Sequence, residues 1–392
     1  MHRFFLRYAL LILVLGTVSS CRFRNNCSSV DLVCNPLLAA LLYTRVQVPK
    51  FVLIANAGTN NVSVFRINPT TGGLTAVQGS PFAAGTAPRF TAVDPTGSFV
   101  YVVGNGGTVF GYTIDISTGF LTPMSGSPFA GGATLYSATI HPSGRFLYAG
   151  SDSAGSIYGY SIGSSGSLTA LSGSPFSAPA NPAGVTAEPS GRFLFAGINN
   201  TPNGRVAVFS IDSTGGLSQV SGSPFVCGDD TLSVTTDLAG RFIYGVNYFS
   251  TNVFGYVMNA SGSLTQVSGS PFAAGSASAF VTVDPAGRFA YVANSGDASG
   301  LLAVSGYTIN QSTGALTQVT GSPFAAGANP IGVATDPHGK FLYSANTASN
   351  NVSAFTIDQT TGIITTVAGS PYVAAGGSPQ PFAVTILSRY EF

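Results

Sequence analysis

A four-residue motif, Gly-Ser-Pro-Phe, recurs along the chain at nearly constant intervals. It starts at seven positions, the last copy reading Gly-Ser-Pro-Tyr: Gly79, Gly126, Gly173, Gly222, Gly269, Gly321 and Gly369. Successive copies are 47, 47, 49, 47, 52 and 48 residues apart. A repeat of this length, filled with short apolar segments and Gly, Pro and Asn turns, predicts one four-stranded sheet per repeat, as in a β-propeller.

The seventh repeat shows the expected strand order. Its predicted strands are Ile331–Thr335, Phe341–Ala345, Val352–Ile357 and Ile363–Val367. The connections contain Asp-Pro-His-Gly and Asp-Gln-Thr-Thr-Gly, in which Pro fixes φ and Gly permits the positive φ that tight turns need. No part of the repeat region has the 3.6-residue apolar period of a helix, so the sequence predicts an all-β fold with antiparallel strands.

The two ends of the chain together supply one further blade. Three predicted strands precede the first motif, at Phe51–Asn56, Val62–Ile67 and Gly73–Val77, and one unpartnered strand, Pro381–Ile386, follows the last motif. One C-terminal and three N-terminal strands make a complete blade, and their pairing would close the ring and remove its exposed sheet edges. We therefore predict one domain, a seven-bladed propeller over residues 51–392.

The residue pattern within the repeats indicates a protein family more specifically than the repeat spacing does. Tyr-containing strand segments occur at residues 99–102, 146–149 and 290–294, and Asn-Asn-Val-Ser occurs at 60–63 and 350–353. Together with the Asp-Pro-x-Gly-Arg-Phe turns, these motifs resemble the YVTN-type repeat of the β-propeller lactonase family. That family includes 6-phosphogluconolactonases and a fungal muconate-lactonising enzyme. The resemblance implies the propeller fold, but the motif residues build turns and so do not themselves carry chemistry.

The resemblance also implies where catalytic groups would lie, because the innermost strand of each blade commonly begins with Pro-His in that family. The corresponding pairs here are Pro88-Arg89, Leu135-Tyr136, Pro182-Ala183, Thr231-Leu232, Ser278-Ala279, Pro330-Ile331 and Pro381-Phe382. One arginine occupies this position and no histidine does. Acid–base catalysis needs a titratable group within hydrogen-bonding reach of the substrate. His141 and His338 fall in turns that we expect on the opposite rim.

The N-terminal residues predict export and lipid anchoring. Basic residues precede an apolar run of about 11 residues, which is too short to span a bilayer and suits a signal peptide. The run ends in Val-Ser-Ser-Cys21, which resembles a bacterial lipobox. Residues 1–20 would then be a lipoprotein signal peptide, Cys21 the acylated first residue, and 21–50 a tether to the bacterial cell envelope, at the outer membrane or cell surface. The alternative is an ordinary signal peptide with a chance cysteine.

The remaining cysteines and histidines favour no cofactor. Cys27 and Cys34 are close enough in sequence for a small loop disulfide in an oxidising envelope, whereas Cys227 stands alone between blades four and five. A metal site would need Cys-x-x-Cys pairs or neighbouring histidines, which the chain lacks. We therefore expect neither a metal nor a cofactor.

Charged side chains are scarce. The chain has 15 Lys and Arg and 14 Asp and Glu among 392 residues, giving a net charge of +1. Neither nucleic acid nor an anionic membrane surface is therefore expected as an electrostatic partner. Membrane contact would occur through the lipid anchor alone, and we expect a monomer.

Most of these charges belong to the repeat. One turn position holds an acid or histidine in six blades: Asp94, His141, Glu188, Asp237, Asp284 and Asp336. Four residues later, five of those blades hold a base: Arg145, Arg192, Arg241, Arg288 and Lys340. We expect this alternation to make one acid–base contact per blade.

The charges outside that pattern share one rim. Arg89, Asp152, Arg205, Asp229, Asp230 and Asp297 lie in connections from the fourth to the first strand or from the second to the third, or beside them. The two longest departures from the repeat, residues 199–205 and 295–301, fall there too. Since loops on a rigid scaffold commonly carry function, these six residues are candidate ligand-binding groups. The alternative is that they only keep a weakly charged protein soluble.

Taken together, the sequence favours an envelope-anchored, non-catalytic propeller that binds an unidentified protein or carbohydrate ligand. The alternative is a lactonase-like hydrolase, related to 6-phosphogluconolactonases and muconate-lactonising enzymes, with its site at the channel mouth. That site would use Arg89 with Asp229 or Asp230. Convergence of these side chains around one cavity would favour the hydrolase.

The lipobox predicts the behaviour of a single variant. We expect the wild-type protein to partition into detergent and to carry a lipid mass on its N-terminal peptide, and Cys21→Ser to lose both, because the thiol is the acylation site. Phase partitioning and mass spectrometry check this. Partitioning that is unchanged in Cys21→Ser, with no lipid mass in the wild type, would contradict the lipoprotein hypothesis.

Overall fold

The computed structural model describes residues 46–132, 134–296, 303–374 and 377–391, without the side chains of residues 46, 47 and 389–391. Every regular element in these residues is a β-strand. None of them forms a helix with the length and apolar character of a membrane span. The predicted signal peptide, Cys21, Cys27, Cys34 and Asp297 lie outside the described residues, as does most of the predicted tether.

The strands form seven antiparallel sheets, which we call blades one to seven in the order of their second strands. The innermost strands are Pro381–Glu391, Pro88–Val93, Ser137–Ile140, Pro182–Ala187, Thr231–Thr236, Ser278–Val283 and Pro330–Thr335. The second strands are Val46–Asn56, Phe99–Gly104, Phe146–Ser151, Phe193–Ile198, Phe242–Asn247, Phe289–Asn294 and Phe341–Asn346. The third strands are Asn61–Ile67, Thr108–Ile114, Ser156–Ile162, Gly204–Ile211, Asn252–Met258, Ala303–Ile309 and Asn351–Ile357. The outermost strands are Leu74–Ala76, Leu121–Pro123, Leu168–Ala170, Leu217–Gln219, Leu264–Gln266, Leu316–Gln318 and Ile364–Thr366.

The predicted all-β, seven-bladed fold is confirmed, including its closure. The C-terminal strand pairs with Val46–Asn56 and so completes blade one. Thr385 on that strand donates a hydrogen bond to the carbonyl of Thr91 in blade two, at 2.7 Å. The second strand of blade one begins at Val46, five residues before the expected start of the propeller at residue 51.

The repeated Gly-Ser-Pro-Phe motif holds each blade's outer part together. The serine hydroxyl accepts a hydrogen bond from a backbone N–H of the third strand, as in Val64 to Ser80 (2.9 Å) and Ala354 to Ser370 (2.9 Å). The residues after the proline form a fifth, short strand on the same third strand. These short strands are Phe82–Ala83, Phe129–Ala130, Phe176–Ser177, Phe225–Gly228, Phe272–Ala273, Phe324–Ala325 and Tyr372–Val373. The motif is therefore structural.

Buried tyrosines of the second strands connect neighbouring blades. Each donates its hydroxyl to a glycine carbonyl in the hairpin between the third and outermost strands of the next blade. The pairs are Tyr101–Gly166 (2.6 Å), Tyr148–Gly215 (2.8 Å), Tyr244–Gly314 (2.8 Å), Tyr291–Gly362 (2.9 Å) and Tyr343–Gly72 (2.9 Å). The last pair joins blade seven to blade one. Leu53 and Phe195, which lack the hydroxyl, occupy the same position in the other two blades.

The same hairpin glycines pack on the phenylalanine that opens the second strand. A Cβ added at Gly215, whose φ is +89°, would lie 2.7 Å from the Phe146 ring, so only glycine fits there. The ring is covered on its other side by the arginine before it, as Arg145 lies 5.0 Å from the Phe146 centroid. Arginine, phenylalanine and glycine thus form a second connection between blades.

The expected acid–base contact in every blade is only partly correct. Among the described residues, ion pairs of this pattern form at Asp237–Arg241 (3.5 Å) and Asp284–Arg288 (3.2 Å). The recurring role of the carboxylates is to accept backbone N–H groups. Asp237, for example, accepts from the N–H groups of Arg241 (2.6 Å) and Phe242 (2.9 Å). A buried carboxylate is stabilised more by two fixed amide donors than by an exposed arginine that water can solvate.

The tyrosine contacts between blades predict that losing one hydroxyl lowers the stability of the fold. Tyr343→Phe leaves the Gly72 carbonyl without its donor, so the free energy of unfolding should fall by about 1–2 kcal/mol. Tyr372→Phe is the matched control, because its hydroxyl donates to the Ala368 carbonyl in an exposed hydrogen bond of 3.2 Å. Chemical denaturation measures both, and equal losses in the two variants would contradict the assignment.

Candidate functional site

The mouth of the central channel is formed by equivalent residues at or beside the start of each innermost strand. We call this set the mouth ring: Arg89, Tyr136, Ala183, Leu232, Ala279, Ile331 and Phe382. Tyr136, Ala183, Leu232 and Ala279 are buried in one apolar cluster, against which Ile331, Phe382 and Tyr248 pack. The side chains at the mouth therefore contact one another across the ring.

Two phenylalanines stack one residue further into the channel. Phe90 of blade two and Phe280 of blade six, which are not neighbouring blades, have ring centroids 5.7 Å apart and planes 22° apart. Gly184 and Gly332, at the same level, leave no room for a Cβ against the next blade's backbone. The Phe90–Phe280 pair forms a floor beneath the mouth ring.

The channel cavity has a volume of about 340 Å³ and is lined by the innermost strands. Its lining consists of aliphatic, phenylalanine, serine and threonine side chains and includes no ionisable group. Threonine hydroxyls here bond to neighbouring blades, as Thr186 donates to the Val234 carbonyl at 2.6 Å. The residues that line the cavity therefore include no acid or base.

Arg89 provides the cation of the mouth. Its guanidinium lies 5.1 Å from the Tyr136 ring centroid and 4.9 Å from that of Phe382, so the blades on both sides contact it. Its Nε donates to Asn105 Oδ1 at 2.6 Å. Within the described residues Arg89 belongs to no ion pair. Both Nη groups thus remain available to an anionic or polar ligand atom.

Asp230 places a buried carboxyl group at the mouth. Its side chain is only 6% exposed, and its Oδ1 is buried without a hydrogen-bond partner. This burial raises the pKa of the Asp230 carboxyl to about 6. The positive φ of 65° is not peculiar to it, because Ala87, Ala277 and Asn329 share that conformation at the equivalent position. The backbone conformation at this position is therefore a property of the repeat. Among these four residues, only Asp230 carries a carboxylate there.

The charges of three predicted candidates act on the hydroxyl of Tyr136. Burial raises the pKa of the Tyr136 hydroxyl well above its usual value, the Arg89 charge lowers it, and the charges of Asp152 and Asp230 raise it. Tyr248 acts on the same hydroxyl. Three of the six candidates, from blades two, three and five, therefore act on one side chain.

The other candidates do not join this group. Asp229 directly precedes Asp230, but its backbone N–H bonds to Ser250 Oγ at 2.5 Å and its charge is not among those acting on Tyr136. Arg205 acts on Tyr256, between blades four and five. Asp297 lies outside the described residues. The charges of Arg89 and Asp230 both act on Tyr136, but no direct contact joins these two described side chains, so their convergence around one cavity stays a prediction.

The described cysteine and histidine side chains make contacts within the blades and turns, and none of them belongs to the mouth ring. Cys227 lies in the short strand of blade four, not in a loop, and is a fully buried free thiol whose pKa burial raises to about 11. His141 Nε2 bonds to the Gly191 carbonyl (2.8 Å) on the rim opposite the mouth, and His338 lies in the equivalent turn, 3.6 Å from Asp336. In the described part of the chain, no three His, Cys, Asp or Glu residues are grouped so as to hold a metal.

The aromatic side chains of the mouth are not among the candidates that the sequence predicts. Tyr136, Phe382 and Tyr248 are not charged, so a search for ionisable outliers passes over them. Tyr136 and Phe382 do stand where the family pattern has histidine, and that position was the available indication. Tyr248 follows the second strand of blade five directly, as Asp152 follows that of blade three.

Comparison with known proteins extends these observations. A family model for lactonases with a seven-bladed β-propeller matches residues 44–137, 146–270 and 265–379. No curated protein matches the chain. The putative 6-phosphogluconolactonase of Bacteroides fragilis has 20% identity and a TM-score of 0.71, covering 86% of this chain and 98% of its own.

Two further solved structures are equally similar. The putative 6-phosphogluconolactonase of Bacteroides uniformis has 20% identity and a TM-score of 0.72, covering 87% of this chain and 100% of its own. The periplasmic gluconolactonase of Pseudomonas aeruginosa has 20% identity and a TM-score of 0.71, covering 86% and 99%. At such identity the structures show the fold alone, whereas the family model spans nearly the whole repeat region. The chain therefore belongs to the seven-bladed β-propeller lactonase family.

Proposed function

We propose that this protein is a lactone hydrolase whose site is the channel mouth around Tyr136. The observation that carries the proposal is the grouping of Arg89 and the partnerless carboxyl of Asp230 about Tyr136, in a chain that belongs to a lactonase family. Family membership and this grouping both favour hydrolysis over the non-catalytic binding module that the sequence favoured. A pKa of about 6 suits a group that takes up and returns a proton near neutral pH.

In the proposed reaction, Asp230 is the general base. Its carboxylate, whose pKa is raised to about 6, would take a proton from water as the water oxygen attacks the lactone carbonyl carbon. Cleavage of the ring C–O bond then releases an alkoxide, which recovers that proton from Asp230. The products are the open-chain hydroxy acid and the regenerated carboxylate.

Arg89 would stabilise the negative charge that develops on the carbonyl oxygen. Asn105 fixes Nε, and the rings of Tyr136 and Phe382 contact the guanidinium, so its orientation is set before the substrate arrives. The two Nη groups are the donors left for the oxyanion. Donors that are fixed in advance stabilise such charge without reorganisation.

The cellular location remains part of this proposal. With Cys21 acylated, the mouth would work in the cell envelope on exported or imported lactones, and a bound carbohydrate or protein would be an alternative occupant. The periplasmic gluconolactonase of Pseudomonas aeruginosa, which shares the fold, is consistent with such a location.

The role of Arg89 predicts a selective loss of turnover. Arg89→Met should lower kcat for δ-valerolactone by about 10²–10³-fold, since it removes the oxyanion donors. Arg205→Met is the matched control: it removes another cation of the same rim, but one that acts on Tyr256, and it should keep wild-type turnover. Proton release at constant pH measures both. Equal activity of the two variants would exclude Arg89 from catalysis.

Asp230 predicts opposite effects on activity and stability. Because its pKa is raised on folding, from 3.8 to about 6, its ionisation destabilises the folded protein as pH rises through about 4 to 6. Asp230→Asn removes this cost. Its free energy of unfolding should therefore exceed that of the wild type by about 2–3 kcal/mol at pH 8 and equal it at pH 3.5. Turnover should be lost at every pH.

Denaturation at the two pH values and lactone turnover check these effects separately. Asp229→Asn is the control, with both properties expected to stay near wild type. An Asp230→Asn enzyme that keeps its turnover would exclude the carboxylate as the base, and equal stability at pH 8 would exclude its burial as a charge.

A further inference from the structure

The charge balance of the mouth limits the substrates it can accept. Among the described residues the mouth rim carries two cations, Arg89 and Arg205, and three anions, Asp152, Asp229 and Asp230. Around Tyr136 the balance is one positive charge to two negative charges. A phosphate group would carry close to two further negative charges into this site, where like charges repel it.

Arg89 cannot by itself compensate a phosphate. Its Nε is already bonded to Asn105, and it lies against the Tyr136 and Phe382 rings, so only its Nη edge faces a ligand. In the proposed reaction that edge binds the carbonyl oxygen. A phosphorylated substrate would need a second cation, and the next cation of the described rim, Arg205, acts elsewhere.

Apart from Arg89 and the Tyr136 hydroxyl, the mouth ring itself is apolar. Phe382, Ile331 and Tyr248 are partly exposed above the buried cluster, and the exposed Phe249 packs edge-to-face on Tyr248 with centroids 5.1 Å apart. Apart from Arg89 and the Tyr136 hydroxyl, the side chains of the mouth ring offer no hydrogen-bonding group to a sugar. Desolvating a polyol against this surface would leave its hydroxyls unpaired, whereas burying alkyl groups there is favourable.

We propose that the mouth takes uncharged lactones bearing an alkyl or aryl substituent, and selects against phosphorylated and polyhydroxylated sugar lactones. This inference rests on the proposed function. Within it, Arg89 binds the lactone carbonyl, and Phe382, Ile331 and Tyr248 contact the substituent.

Turnover of a lactone series by the full chain tests this inference. From δ-valerolactone to δ-decalactone, kcat/KM should rise about 2–4-fold per methylene over the first few carbons. Glucono-δ-lactone should be hydrolysed at least 100-fold less efficiently than δ-decalactone, and its 6-phosphate less efficiently still. A preference for either sugar lactone would overturn the inference while leaving lactone hydrolysis intact.

Binding separates the two proposals if no lactone is hydrolysed. The corresponding lactams keep the ring and its carbonyl but resist opening, and calorimetry should rank δ-decanolactam above δ-valerolactam and gluconolactam. That ranking without turnover would refute the hydrolase and support the recognition surface. The reverse ranking would refute the surface assignment.

A charge placed on the apolar side of the mouth should shift the preference. Ile331→Lys adds a cation to the mouth ring at a partly exposed position, and Ile331→Leu is its size-matched control. We expect the lysine variant to favour the 6-phosphate at least 10-fold more, relative to δ-decalactone, than the control does. The same ratio in both variants, at equal melting temperature, would contradict the placement of the substituent.

Discussion

The contacts between neighbouring blades constrain everything else in this structure. A buried tyrosine or phenylalanine of one blade covers the hairpin glycine of the next, and in five blades a hydroxyl-to-carbonyl hydrogen bond of 2.6–2.9 Å fixes the distance. Because Tyr343 makes the same contact to Gly72, the last blade meets the first through the hydrogen bond that joins four other pairs of neighbouring blades. These contacts recur around the ring and so join its blades in a repeating arrangement.

Fixed blade geometry turns the mouth into a set of equivalent positions. Each blade contributes a residue before its innermost strand, one at its start and one after its second strand. The backbone at these positions is largely shared, as the positive φ of Ala87, Ala277 and Asp230 shows. Chemistry can then be varied by single side chains, without any change of fold. Arg89, Tyr136 and Asp230 are such substitutions in three different blades.

The position near the start of each innermost strand, where the family commonly has histidine, shows how single side chains vary. In this chain it holds Arg89, two aromatic residues and four aliphatic residues. An imidazole would supply both a proton acceptor and a donor at one point. In the proposed site, the proton acceptor Asp230 and the cation Arg89 come from separate positions, and the charges of both act on Tyr136. Leaving Oδ1 of Asp230 buried without a partner lowers stability, which is typical of groups retained for function.

The sequence alone determined the repeat, the strand order and the closure, because these depend on local turn chemistry and on contacts that recur every blade. It also indicated the rim on which the unusual charges lie. Only the tertiary structure decided which of them meet. Asp229 and Asp230 are adjacent in the chain, yet the backbone of Asp229 bonds to Ser250, whereas Asp230 is buried and its charge acts on Tyr136. Arg205 shares the rim but faces Tyr256. Distances across the central axis depend on how seven blades close around it, and no periodicity in the sequence records them.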